Sequence, residues 1–264
     1  MSKPKIAFFD FTSCEGCQLT VVDSLQTHLD LLEAVEIVQF REAMTEKGED
    51  YAVAFIEGSC VRKSDEDRLK QIRAQATYVV ALGACAHLGG VNSIRNRTPL
   101  EDVHNYVYGD NPDWTEPDPA RRANINDNLL RVSPQAQPIE AIIPVDVVLP
   151  GCPIDREEFV RVTKQLLQGR IPTLPDYPLC VECKLGENVC LYHRGEVCLG
   201  PITRAGCDAI CPTYGDGCEG CRGLIPHPNE DSMSDVLTKY GLTVDAMLAR
   251  WTMFGTYQRM EKQI

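Results

Sequence analysis

The sequence predicts an α/β protein: a doubly wound, mainly parallel sheet followed by a small, mostly irregular or helical cysteine-rich domain. Three observations carry that expectation. Short apolar runs alternate with helix-like segments over about the first 170 residues, which implies parallel strands joined by helical crossovers. The composition then changes, with Pro172, Pro175 and Pro178 forming a stiff linker. Eight of the thirteen cysteines lie beyond that linker, between Cys180 and Cys221, and the other five sit at or just past apolar segments of the first 152 residues. The expected division is residues 1–172 and residues 173–264.

Residues 5–11 (KIAFFDF) read as a buried strand, and residues 18–32 show helical periodicity through Leu19, Val22, Leu25 and Leu29. Residues 35–40 and 51–56 (YAVAFI) are the second and third strands, the latter closed by Glu57-Gly58-Ser59. Ser64 and Asp67 read as the N-cap and capping-box acid of a charged helix running to Ala76, with Asp in place of the usual Glu. Residues 78–82 and 145–149 are the fourth and fifth strands. Residues 155–168 follow as an amphipathic helix ended by Gly169 and Pro172. Residues 92–144, rich in Pro, Asn and Asp, break the alternation and read as a structureless insertion, functional or wrapped on a partner, with a floppy surface loop as the alternative. Two short helices, residues 233–240 and 243–260, close the chain.

The bulk properties exclude several classes. A net charge of −12 argues against nucleic acid or an anionic membrane as a partner, since both need clustered Lys and Arg. No stretch approaches 18 apolar residues, so no membrane span is expected. The segment MSKPKIAFFDFTSCEGC lacks the marks of a secretory leader, which predicts a cytoplasmic protein with reduced thiols. There, thirteen cysteines favour metal over disulfides, and the odd count points the same way. Neither a GxGxxG fingerprint nor a P-loop is present, which places nucleotide binding on another chain.

Cys14 and Cys17 fall in the loop after the first strand, Cys85 after the fourth and Cys152 after the fifth. The carboxyl ends of parallel strands share one edge, where ligands bind at the switch point of strand order. Three remote segments therefore bring four thiols to one place, with Gly16, Gly83 and Gly151 leaving room for a bulky group. Cys60 also follows a strand, so five thiols compete for four positions; it reads as a spare buried thiol. His87, in CAHLGG, reads as a packed loop histidine. Glu15 and Glu57 stand at the same edge, either as a proton relay or as capping carboxylates. The late set, Cys180, Cys183, Cys190, Cys198, Cys207, Cys211, Cys218 and Cys221, suffices for two four-cysteine iron–sulfur clusters. With the early set as a third, the chain reads as a one-electron relay. The spacing alone leaves two four-cysteine zinc sites, or a free-standing ferredoxin-like carrier, as alternatives.

The motifs CEGCQL at Cys14, FIEGS at Phe55, LGACAHLGGV at Leu82, LPGCPID at Leu149 and CVECK…CLYHRGEVCLGPITRAGCDAICP…CEGCRG from Cys180 to Gly223 resemble the small, electron-transferring subunit of nickel–iron hydrogenases. The resemblance runs from about residue 4 to the end. It is strongest to the soluble, cytoplasmic NAD(P)-linked branch, including the sulfhydrogenase delta subunits of hyperthermophiles. The methyl-viologen-reducing, heterodisulfide-reductase-linked type comes next. It implies a flavodoxin-like first domain and three [4Fe–4S] clusters. Carried over, Cys14, Cys17, Cys85 and Cys152 match the proximal set, and Cys180, Cys183, Cys190 and Cys198 the distal set. Cys207, Cys211, Cys218 and Cys221 match the medial set. Respiratory relatives place a histidine where Cys180 stands and lack the thiol of Cys211, so all-cysteine ligation is implied here. Ile154 departs from the second proline usual after GCP. The resemblance further implies a large subunit holding the NiFe centre, where hydrogen is split reversibly. It also implies an FAD-bearing, NAD(P)-reducing partner with ferredoxin-like subunits.

Overall fold

The computed structural model describes residues 3–108 and 132–261. Strands β1 (Lys5–Asp10), β2 (Glu36–Phe40), β3 (Val53–Glu57), β5 (Tyr78–Leu82) and β7 (Val147–Leu149) form one sheet in the order β2-β1-β3-β5-β7. Every neighbouring pair is parallel. Helices cover both faces, so the central strands are apolar without alternation. On one face Phe8, Phe55, Leu82 and Leu149 pack against Val21 and Leu25 of α1 (Gly16–Thr27) and Phe159, Val162 and Leu166 of α6 (Arg156–Leu167). The Phe8 and Phe55 rings stack with centroids 4.9 Å apart. On the other face Ala7, Ala54, Ile56 and Ala81 meet Leu69 and Ile72 of α3 (Lys63–Gln75). Strand order reverses between β1 and β3, which makes their carboxyl ends the natural ligand crevice.

Four features differ from the sequence expectations. The helix expected over residues 18–32 is two: α1 ends at Thr27, and α2 (Leu29–Ala34) starts after His28. The Ser24 and Thr27 hydroxyls donate to the Thr20 and Ser24 carbonyls at 2.7 and 3.0 Å, the local competition that loosens helix ends. At α3, Asp65 rather than Asp67 caps, accepting the Val61 and Arg62 N–H groups at 3.1 and 2.9 Å. A short strand, β4 (Cys60–Arg62), leads directly into that helix and puts Ser64 inside it.

The third difference is that described parts of the 92–144 stretch carry regular structure. A 3₁₀ segment (Val91–Arg97), α5 (Leu100–Tyr108) and β6 (Val132–Gln137) occur there, and β6 pairs antiparallel with β4. Asn96 holds β6 by both ends of its amide, donating to the Ala136 carbonyl at 2.9 Å and accepting its N–H at 2.8 Å. The rest of that expectation, residues 109–131, lies outside the described residues. Fourth, α4 (Gly83–Leu88) begins directly at the end of β5 and carries Cys85.

The cysteine-rich segment carries α7 (Cys180–Leu185), α8 (Ile210–Thr213), α9 (Glu230–Lys239) and α10 (Val244–Glu261). Leu179, Tyr192, Leu199, Ile202, Met233 and Leu237 form its own core. Phe254 of α10 packs on Ala84 and Leu88 of α4, joining this segment to the sheet. No described helix is long and apolar enough to cross a membrane.

Candidate iron–sulfur sites along one edge

The β1–α1 loop is shaped by Glu57, which ends β3 and is 2% exposed. Its two oxygens accept the Cys17 and Gln18 N–H groups at 3.1 and 2.8 Å, a carboxylate seated at the N-terminus of α1. Burial raises its pKa, and those two backbone bonds oppose the rise. Glu15 takes a left-handed backbone at φ 62° just before α1. A hydrogen bond with Glu42 and partial burial push its carboxyl up. Across the edge, the Ala84 N–H donates to the Gly151 carbonyl at 2.7 Å, tying the Cys85 loop to the Cys152 loop.

This geometry brings Cys14, Cys17, Cys85 and Cys152 together. Burial pushes the Cys85 thiol up to about 12, with Cys152 and Cys14 the next largest causes. Burial also raises Cys17, with Glu57 next and Cys152 and Cys85 adding to it. Such thiols cannot all ionise beside one another unless a cation shares the space, and metal coordination supplies one. The glycines fit that demand. A Cβ at Gly83 would stand 2.4 Å from Cys17 Sγ, one at Gly90 3.0 Å from Cys85 Sγ, and one at Gly16 3.4 Å from Cys14 Sγ. Cys60 is not brought to this place. It lies on the α3 face with Leu69 and Ala81, and burial takes its thiol up to about 11. His87 is packed against Gly223, and burial drops its pKa to about 4.

The late thiols divide into two neighbourhoods. The Cys180 thiol is pushed up to about 12, by burial first and then by Cys198, Cys183 and Cys190. A Cβ at Gly200 would fall 3.3 Å from Cys180 Sγ and 3.4 Å from Cys198 Sγ. Cys207, Cys211, Cys218 and Cys221 line a cavity of about 270 Å³ together with Cys152. Glu182 of α7 braces the loop before it, accepting the Gly206 and Cys207 N–H groups at 2.7 and 3.3 Å. The sets adjoin in a row: Cys221 feels Cys152, and the Cys218 N–H donates to Cys198 Sγ at 3.2 Å. Among the described residues, no three His, Cys, Asp or Glu side chains converge closely enough to hold a single metal ion.

Sequence reasoning missed Glu182, Glu158 and Arg222. Arg222 follows Cys221 and Glu182 precedes Cys183 directly, and that adjacency to a thiol was the available signal.

A parallel α/β sheet with thiols along its carboxyl edge, and more in the segment beyond, fits the class of iron–sulfur electron-transfer proteins. Residues 14–166 match the family model described as NADH ubiquinone oxidoreductase, 20 Kd subunit. The chain is 35% identical to sulfhydrogenase 2 subunit delta of Pyrococcus furiosus, over 88% of this chain and 92% of that one. It is 31% identical to a vhu-type subunit of the F420-non-reducing hydrogenase of Methanococcus voltae, over 84% of this chain and 82% of that one. Among solved structures it resembles a chain of an NAD+-reducing NiFe-hydrogenase in the H2-reduced state. That match has a TM-score of 0.58 and 30% identity, and covers 66% of this chain and 96% of the other. The chain belongs to this family, in its NiFe hydrogenase small-subunit type.

Proposed function

We propose that this small subunit holds three [4Fe–4S] clusters and relays electrons between the NiFe site of a large subunit and a flavin-bearing, NAD(P)-reducing partner. Residues 1–172 hold the proximal cluster through Cys14, Cys17, Cys85 and Cys152, and residues 173–264 hold the other two. Cys207, Cys211, Cys218 and Cys221 serve the medial cluster, and Cys180, Cys183, Cys190 and Cys198 the distal one. When bound, such all-cysteine clusters supply one-electron chemistry at low potential.

The observation that carries this reading is the continuous row of thiol sets, in which the medial set adjoins Cys152 on one side and Cys198 on the other. The chain's own residues hold that row in place. Glu57 anchors the Cys17 turn and Glu182 the Cys207 loop. Glycines keep side chains out of the space beside Cys17, Cys85 and Cys180. Glu15, in the Cys14 loop, and Glu57, whose carboxyl is raised by burial and slightly by Glu15, are the candidate route for protons leaving the large-subunit face.

Hydrogen-dependent reduction of NAD+ and NADP+ by the anaerobically purified complex tests the reading. Reduction of either nicotinamide at a rate comparable to that of a viologen dye is expected. A complex that reduces the dye and neither nicotinamide favours a second reading, a small subunit whose electrons go to a different acceptor. The 31% identity to a component of an F420-non-reducing hydrogenase supports that alternative.

A further inference from the structure

Arg222 is the largest side chain in the fully buried set, at 1% exposure, and the relay as described gives it no task. Its guanidinium reaches two loops and the first turn of α6. Nε donates to the Ala205 carbonyl at 2.7 Å, and Nη1 to the Pro150 carbonyl at 2.9 Å. Nη2 donates to both Glu158 oxygens, at 3.0 and 2.9 Å. Pro150 lies two residues before Cys152, Ala205 two before Cys207, and Arg222 itself follows Cys221. One side chain thus ties together a loop of the proximal thiol set and two loops of the medial set. It also lines the cavity that holds the medial thiols. The loop before Cys207 is fitted to it, since a Cβ at Gly206 would stand 2.3 Å from Nη2.

Stability does not require such a pair. Desolvating two charges costs about as much as their attraction returns, and apolar residues of equal volume usually serve as well. What apolar residues cannot supply is direction. A planar fork with donors on three sides fixes several acceptors at once, which the point charge of lysine does not.

We propose that Arg222 is a positioning residue for electron transfer, fixing the gap between the thiol set at Cys152 and the set at Cys207 and Cys221. The proposal rests on the three-cluster reading. Its test uses the intact hydrogenase complex carrying Arg222→Lys or the charge-neutral double variant Arg222→Met/Glu158→Gln. Iron per chain, the magnetic interaction between reduced clusters by EPR, and the rate of hydrogen-driven reduction of the distal cluster are measured together. Both variants are expected to keep their iron, change the spin–spin splitting, and slow distal reduction on the order of 10- to 100-fold, as loss of an outer-shell partner does elsewhere. Arg222→Lys keeps a buried cation opposite Glu158, so it gives a reading even where the double variant does not assemble. Native splitting and native rate in an iron-replete variant, with only a lower melting temperature, overturn the proposal. Wild-type complex with no interacting pair of cluster spins overturns the three-cluster reading instead.

Discussion

Gly83→Ala is a small change with a large expected consequence. Gly83 adopts φ +83° where β5 turns into α4, and an alanine there costs about 1–2 kcal/mol in backbone strain alone. Its Cβ would also stand 2.4 Å from Cys17 Sγ, whereas ordinary contact begins at 3.4 Å, so the sulfur must retreat by 3.4 − 2.4 = 1.0 Å. Cys17 is packed among Val21, Leu25 and Phe55, in a core too dense to absorb that movement freely. A ligand constellation tolerates about 0.5 Å of displacement, and a disturbed site loses on the order of 10- to 100-fold in metal affinity. The assay is iron per chain and the EPR signal of the proximal cluster in purified complex. Gly169→Ala is the control, because Gly169 has φ +70° and nothing within 4 Å of an added Cβ. It carries the backbone cost alone. Loss of about four irons in Gly83→Ala and none in Gly169→Ala is expected for a four-iron site. Full iron with a native proximal signal in Gly83→Ala, or equal iron loss in both, refutes the reasoning.

Three other outcomes follow from the same geometry. Glu57→Gln leaves one acceptor oxygen for two backbone donors and turns an amide NH2 toward the other, so it should cost about 1.5–3 kcal/mol by denaturant titration; an unchanged midpoint contradicts the anchoring role. Cys60→Ala should leave iron content and cluster spectra unchanged and lower stability by about 1 kcal/mol, and any loss of iron makes Cys60 a ligand. Removing iron with a chelator under reducing conditions should abolish amide-exchange protection around residues 180–225 while the parallel sheet stays protected, because the apolar core of the cysteine-rich segment is small and is interleaved with its thiols. Protection retained in both segments would show that the metal does not support that fold.

The five parallel strands were legible because helices bury both faces, leaving runs such as YAVAFI and YVVAL with no polar position to confuse the period. The gathering of Cys14, Cys17, Cys85 and Cys152 was legible for a topological reason, since all carboxyl ends share an edge. The break after Thr27 was not: Leu29 continues the apolar period, yet it is 61% exposed, and the cue lay in the hydroxyls of Ser24 and Thr27. Strand β4 has only three residues, and β6 (VSPQAQ) carries a proline and little apolar content, so neither offers a period-2 signal. The Arg222–Glu158 pair joins residues 64 apart in sequence, and no local pattern encodes such a contact.

Iron and acid-labile sulfide, counted per chain on the anaerobically purified complex after allowance for partner-subunit metal, test the central claim most directly. Three four-iron cages predict about twelve of each in this chain. A complex that turns over hydrogen while this chain carries about four or fewer would contradict the account.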